Sequence, residues 1–133
     1  MISGKILLFF YKEEKGKKKL TMITKVMRKR EWEVGKAKGE IIEASLQQEG
    51  FIHCSFLEQS LQVAEKHFRT EMEVVLLVID PSLVDAEIKY ELASNGQNYP
   101  HIYGAVNVDA VVNVVELHKE NGVYVLQVEL EQN

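Results

Sequence analysis

The sequence predicts an α+β fold: a largely antiparallel, split sheet packed with two or three short helices. Three observations carry that reading. Val74, Val75, Leu76, Leu77, Val78 and Ile79 form a continuous apolar run, the mark of a strand buried on both faces. Residues 86–92 alternate apolar and polar, as a half-buried strand does. Residues 111–117 and 123–130 flank a turn containing Asn121 and Gly122, a hairpin signal.

The elements follow in order. Residues 23–27 mix β-branched and apolar side chains and read as a strand. Residues 31–38 read as a short helix ended by Gly39, and residues 45–48 as one helical turn closed by Gly50. Residues 51–56 read as a strand. Residues 58–68 read as a helix, because Leu61, Ala64 and Phe68 recur at helical spacing with Val63 widening the stripe. Residues 73–79 and 86–92 are the next strands, residues 94–98 a polar loop, and the C-terminal hairpin completes six strands.

The chain has 133 residues, 46% of them hydrophobic and 27% charged, which fits one domain with its own core. A single cysteine, Cys54, excludes an internal disulfide framework and a multi-cysteine zinc site. The longest apolar stretches, residues 6–11 and 74–79, are six residues each, far short of the ~20 that span a bilayer. The composition predicts a soluble, cytoplasmic protein. Charge is uneven. Residues 1–21 hold six lysines against two glutamates, while residues 22–133 hold ten basic against eighteen acidic residues. An acidic body argues against nucleic acid as a partner. The cluster Lys25, Arg28, Lys29 and Arg30 reads as a solvated face. Residues 1–21 are set apart as a basic N-terminal extension from a single domain over residues 22–133. The extension reads as a flexible or edge-strand segment, as a tail touching anionic lipid, or as the product of a start assigned upstream of Met22.

Two segments hold residues suited to chemistry. In a strand over residues 51–56, Ile52, Cys54 and Phe56 share one face, and Phe51, His53 and Ser55 the other. The first face is apolar, so Cys54 reads as a small buried hydrophobe rather than a catalytic thiolate. His53 and Ser55 either line a cleft or serve the sheet edge, with the imidazole bonded to backbone. In the segment Tyr99, Pro100, His101, Ile102, Tyr103, Gly104, Pro100 biases the chain to an extended form and Gly104 suits a turn. His101 and Tyr103 then point the same way. They grip a polar ligand or shuttle a proton, or they make a structural bond to each other. Glu91 falls on the solvent side of the alternating strand. His67 and His118 lie among charged residues and read as exposed; Trp32 reads as a core anchor. Phosphate-loop, dinucleotide, HExxH and GxSxG motifs are absent from the sequence.

The run from Gly50 to Ser55, Gln59, the strand ending in Ile79 and Asp80, Glu91, and the run from Pro100 to Gly104 resemble the bacterial "domain of unknown function 952" family. The resemblance covers residues 23–117, and Trp32 matches the family's early tryptophan. The sequence departs where the family often has alanine (Gly35 here) and an aromatic residue (Ile41 here). The resemblance implies a fold like that of ADP-ribosyltransferases, with a nicotinamide nucleotide in a central cleft. By matching positions it implies a catalytic role for His53. Glu91, which sits in a motif of this family and not in one of the transferases, is the candidate carboxylate. His101, a further catalytic candidate with no counterpart in the transferases, would form the other wall of the cleft with Tyr103. His53 would contact the ribose, and Glu91 would stabilise the positive charge that builds on it. Phe51, Ser55, Gln59, Tyr103 and Trp32 would contact ligand. It implies NAD as cofactor and no metal, and NAD-dependent ADP-ribosyl transfer or NAD glycohydrolysis as activity. The alternative is a non-catalytic small-molecule module for a nucleotide-like ligand; a purely structural domain and a metal enzyme using His53 and His101 are further readings.

Overall fold

A computed structural model describes Tyr11–Glu14, Lys17–Leu20 and residues 22–126 of the protein. Strand β1 (Tyr11–Glu14) pairs with β2 (Lys17–Leu20) as an antiparallel hairpin of its own. The rest of the 1–21 extension and the end of the strand expected over 123–130 lie outside the described residues. Strand β3 (Ile23–Arg28) runs into α1 (Lys29–Lys38). Then come β4 (Glu40–Ile41), α2 (Ala44–Glu49), β5 (Ile52–His53) and α3 (Leu57–His67). After these follow β6 (Val74–Ile79), β7 (Glu87–Leu92), β8 (Asn98–Tyr103), β9 (Val106–Asn107), β10 (Val111–Glu120) and β11 (Val123–Val125).

Among the described residues every strand pairing is antiparallel, and the sheet is split. One sheet has four strands in the order β11-β10-β6-β3, a second has three in the order β5-β8-β7, and β4 pairs with β9. All six residues of β6 are buried. Its period of two divides them between two cores. Val75, Leu77 and Ile79 join Ile23, Met27, Ile52 and Ile102 between the two larger sheets. Val74, Leu76 and Val78 join Val26, Leu57 and Ala64 under α3. The helical stripe read from the sequence meets this second core, with Leu61, Val63 and Phe68 packed against it. The β10–β11 turn is the expected one. Asn121 and Gly122 both have positive φ, 53° and 78°, which matches the twist of an antiparallel hairpin. Among the described residues no helix is long and apolar enough to cross a membrane.

Three expectations need correction. The strand over residues 51–56 stops after His53. The Cys54 N–H still bonds the Pro100 carbonyl of β8, at 3.0 Å. Ser55 then pairs with Thr24 of β3, through bonds of 2.7 and 2.8 Å. The chain crosses from one sheet to the other within two residues, and Phe56 already starts α3. Ser55 is therefore buried rather than displayed beside Phe51 and His53. Second, residues 98–103 form the central strand of the three-stranded sheet. Pro100 lies beyond the end of β5 at His53, and its carbonyl accepts the Cys54 N–H. Third, Gly104 has no unusual φ. A Cβ there would stand 2.8 Å from the Ala86 Cβ, so close packing is the reason for glycine. Gly35 of α1 packs closely on β4: a Cβ there would lie 3.1 Å from Ile41 Cγ1.

Candidate functional site

The three-stranded sheet has one apolar and one polar face. Ile52, Ile102 and Ile88 lie opposite one another across β5, β8 and β7 and face the core. One residue along, His53, His101 and Lys89 form the matching row on the other face. Tyr103 and Glu91, two residues further in opposite directions, share that face by the same alternation. Antiparallel register thus assembles residues that are far apart in sequence.

His101 is the centre of the group. Its side chain is 12% exposed, and its Nδ1 lies 2.9 Å from Glu91 Oε1. A carboxylate only accepts, so Nδ1 carries a proton, and Nε2 is the ring nitrogen left for another partner. Nε2 has no hydrogen-bond partner among the described residues. The Tyr103 hydroxyl donates to the same Glu91 oxygen. That bond and the one to His101 hold the Glu91 carboxyl below its usual range, while the Tyr103 phenol is pushed up to about 12 by Glu91. Phe51 stacks on the His101 ring with centroids 4.0 Å apart and leans on Tyr103 at 5.3 Å. The His53 ring stands edge-on to His101 at 5.4 Å.

His53 is fixed through its backbone. It sits on the outer edge of the sheet, where its N–H and C=O have no neighbouring strand. The N–H donates to Glu43 Oε2 at 3.0 Å, and the C=O accepts from Lys25 Nζ at 2.8 Å. Lys25 and Glu43 close the arrangement with an ion pair of 2.5 Å, and Ser45 donates its hydroxyl to Glu43. Lys25 is only 6% exposed. Burial raises the Glu43 carboxyl, but the charge and hydrogen bond of Lys25 outweigh it and leave Glu43 lowered. The His53 side chain is half exposed and meets Glu49 at 2.6 Å.

A cleft of about 460 Å³ opens between this face and α3, along the edge of β3. That is within the usual size range of small-molecule sites. His53, His101 and Tyr99 form one wall, and Lys66 and His67 of α3 the other. Ser55 and Lys25 reach it from below. Glu91 and Tyr103 do not line the cleft; they stand behind His101.

Of the residues singled out in the sequence, the structure brings His53, Glu91, His101, Tyr103 and Phe51 together. Gln59 is placed elsewhere: its side chain accepts the Phe56 N–H at 2.9 Å and donates to the Asn98 carbonyl at 3.0 Å, starting α3 and tying it to the 94–98 loop. Trp32 is buried in the core among Met27 and Ile41. Cys54 is buried, and burial pushes its thiol up to about 12. Among the described residues no three His, Cys, Asp or Glu side chains are grouped as metal ligands. Sequence reasoning missed Lys25, Glu43 and Tyr99. Lys25 does not belong to a solvated face: it alternates with Ile23 and Met27 on the core side of β3, and a lysine between two buried apolar residues at that spacing is the signal. Arg28 and Lys29 do reach outward, to Glu71 at 2.6 Å and Glu116 at 2.5 Å.

Residues 26–114 match the family described as "Protein of unknown function (DUF952)". The X-ray crystal structure of protein CC0527 from Caulobacter crescentus is 32% identical, with a TM-score of 0.71 over 78% of this chain and 93% of that one. The crystal structure of a double mutant of CC0527 agrees to the same degree. Its solution NMR structure is 30% identical, with a TM-score of 0.68 over 79% and 91% of the two chains. No curated protein gives a significant match.

Proposed function

We propose that this chain, which belongs to the DUF952 family, binds a small nucleotide-like molecule in the cleft and uses His101 as its acid–base group. NAD is the first ligand proposed. The observation that supports this reading is the state of His101: Nδ1 is held by Glu91, Nε2 is unpartnered, and the ring borders a cleft of suitable volume. An imidazole with its tautomer set by a carboxylate is suited to take a proton from a bound hydroxyl or water. In NAD glycohydrolysis the bond between the ribose and nicotinamide breaks, and nicotinamide leaves with the electron pair. Water attacks the ribose carbon and gives its proton to His101 Nε2. Glu91 is then a positioning residue acting through His101, and His53 and Tyr99 flank the sugar. An ADP-ribosyltransferase-like cleft would place the nicotinamide ribose at this wall.

One observation favours the non-catalytic module instead. The carboxylate that lines the cleft, Glu43, is already neutralised by Lys25, so it offers little field to a developing ribose cation. Melting with NAD, run beside a nicotinamide-release assay on wild type and His101→Ala, separates the two. Binding with release that His101→Ala abolishes supports the enzyme. Binding without release supports the module.

A further inference from the structure

The α3 wall of the cleft differs from the rest of the molecule. The chain carries a formal net charge of −4, yet this wall is cationic. Gln62, Lys66 and His67 all line the cleft. Gln62 and Lys66 are one turn apart, as are Val63 and His67, so α3 turns one continuous face to the opening. Neither Lys66 nor His67 has a hydrogen-bond or ion-pair partner among the described residues. Elsewhere Arg28, Lys29, Lys36 and Lys89 each meet a glutamate; Arg30, Lys38 and Arg69 have no ion-pair partner among the described residues either, but none of them lines this cleft. Glu43 is the carboxylate in the lining, and Lys25 compensates it. The groups are near enough to influence one another. His67 is held below its usual range, first by burial and then by the charges of Lys66, His53 and Lys25.

We infer that this end of the cleft is a phosphate subsite, in which Lys66 and His67, with the Gln62 amide, take the phosphoryl groups of the bound molecule. An unpaired ammonium beside an imidazole and an amide on a concave surface favours an anion with several acceptor oxygens. The aromatic and imidazole wall across the cleft suits the uncharged remainder of the same molecule. The inference rests on the cleft being a ligand site, and it adds the class of ligand: a phosphate ester or diphosphate rather than a neutral nucleoside or a free base.

The test uses the full chain at fixed ionic strength, with calorimetric titration of ADP, inorganic pyrophosphate and adenosine. ADP and pyrophosphate should bind, and adenosine should bind at least tenfold more weakly than ADP. Lys66→Gln and His67→Gln lie on an exposed face and should fold as wild type does. Each should weaken ADP by about tenfold or more, the scale of one charge-assisted hydrogen bond, with adenosine unchanged. Equal affinity for ADP and adenosine, or ADP affinity indifferent to both substitutions, overturns the subsite. NAD binding that survives such a result leaves the cleft reading standing; pyrophosphate binding without NAD binding removes NAD and keeps the subsite.

Discussion

Lys25→Met is the sharpest probe of how the site is held. Lys25 is 6% exposed, and its ammonium meets both Glu43 and the His53 carbonyl. Methionine fills a similar volume but supplies no charge or donor. Glu43, 26% exposed, then keeps a largely buried carboxylate whose remaining donors are the His53 N–H and the Ser45 hydroxyl. Removing one partner of a buried pair costs roughly 3–5 kcal/mol. The residual exposure of Glu43 puts the expected loss near the lower end, about 3 kcal/mol, or a fall of roughly 10 °C in melting temperature for a chain of this size. Urea unfolding followed by the single tryptophan, Trp32, reads the loss directly. Replacing both partners, Lys25→Met with Glu43→Leu, should recover much of it, because no charge is then stranded. The pH dependence has a definite sign. Glu43 is lowered in the folded state, so its contribution is complete above the ordinary carboxylate range and is lost as pH falls through the lowered folded value. Wild type should lose that part in acid, and the double variant should not. A loss under about 1 kcal/mol in Lys25→Met, or a double variant no better than the single, would refute the reasoning.

The Tyr103 phenol, pushed up to about 12 by Glu91, should titrate near the ordinary ~10 in Glu91→Gln, read as a phenolate absorbance change of one tyrosine. Cys54 should resist thiol reagents at pH 8 in the native protein and react on unfolding, since burial pushes its thiol up to about 12. Gly104→Ala should cost about 1–3 kcal/mol in chemical denaturation, because the added methyl meets Ala86 at 2.8 Å.

Much of the fold was legible because it follows from local periodicity. The β6 run announces a strand with a core on each side, and both cores are there. Asn121 and Gly122 announce the last hairpin. The site was legible only in parts. Period two places His101 and Tyr103 on one face, but nothing local says that His53 stands opposite His101, or that Glu91 reaches both His101 and Tyr103. Those contacts are set by strand register between segments distant in sequence. The end of β5 was not legible, because Ser55 leaves one sheet to bridge Thr24 in another. The glutamine after that bridge was read toward a ligand; its amide is taken up by the start of α3 and the loop facing it. Lys25 was hidden by neighbouring cations that point outward, although its alternation with Ile23 and Met27 marks it as buried.

The most direct test of the central claim is thermal unfolding of the full chain with and without millimolar NAD, with released nicotinamide measured on the same sample. A ligand that binds only the folded state stabilises it by about 2.7 kcal/mol at a hundredfold excess over its dissociation constant. The account predicts a rise in melting temperature together with nicotinamide release in the wild type, and loss of that release in His101→Ala. An unchanged melting temperature in wild type, or release that His101→Ala leaves intact, contradicts it.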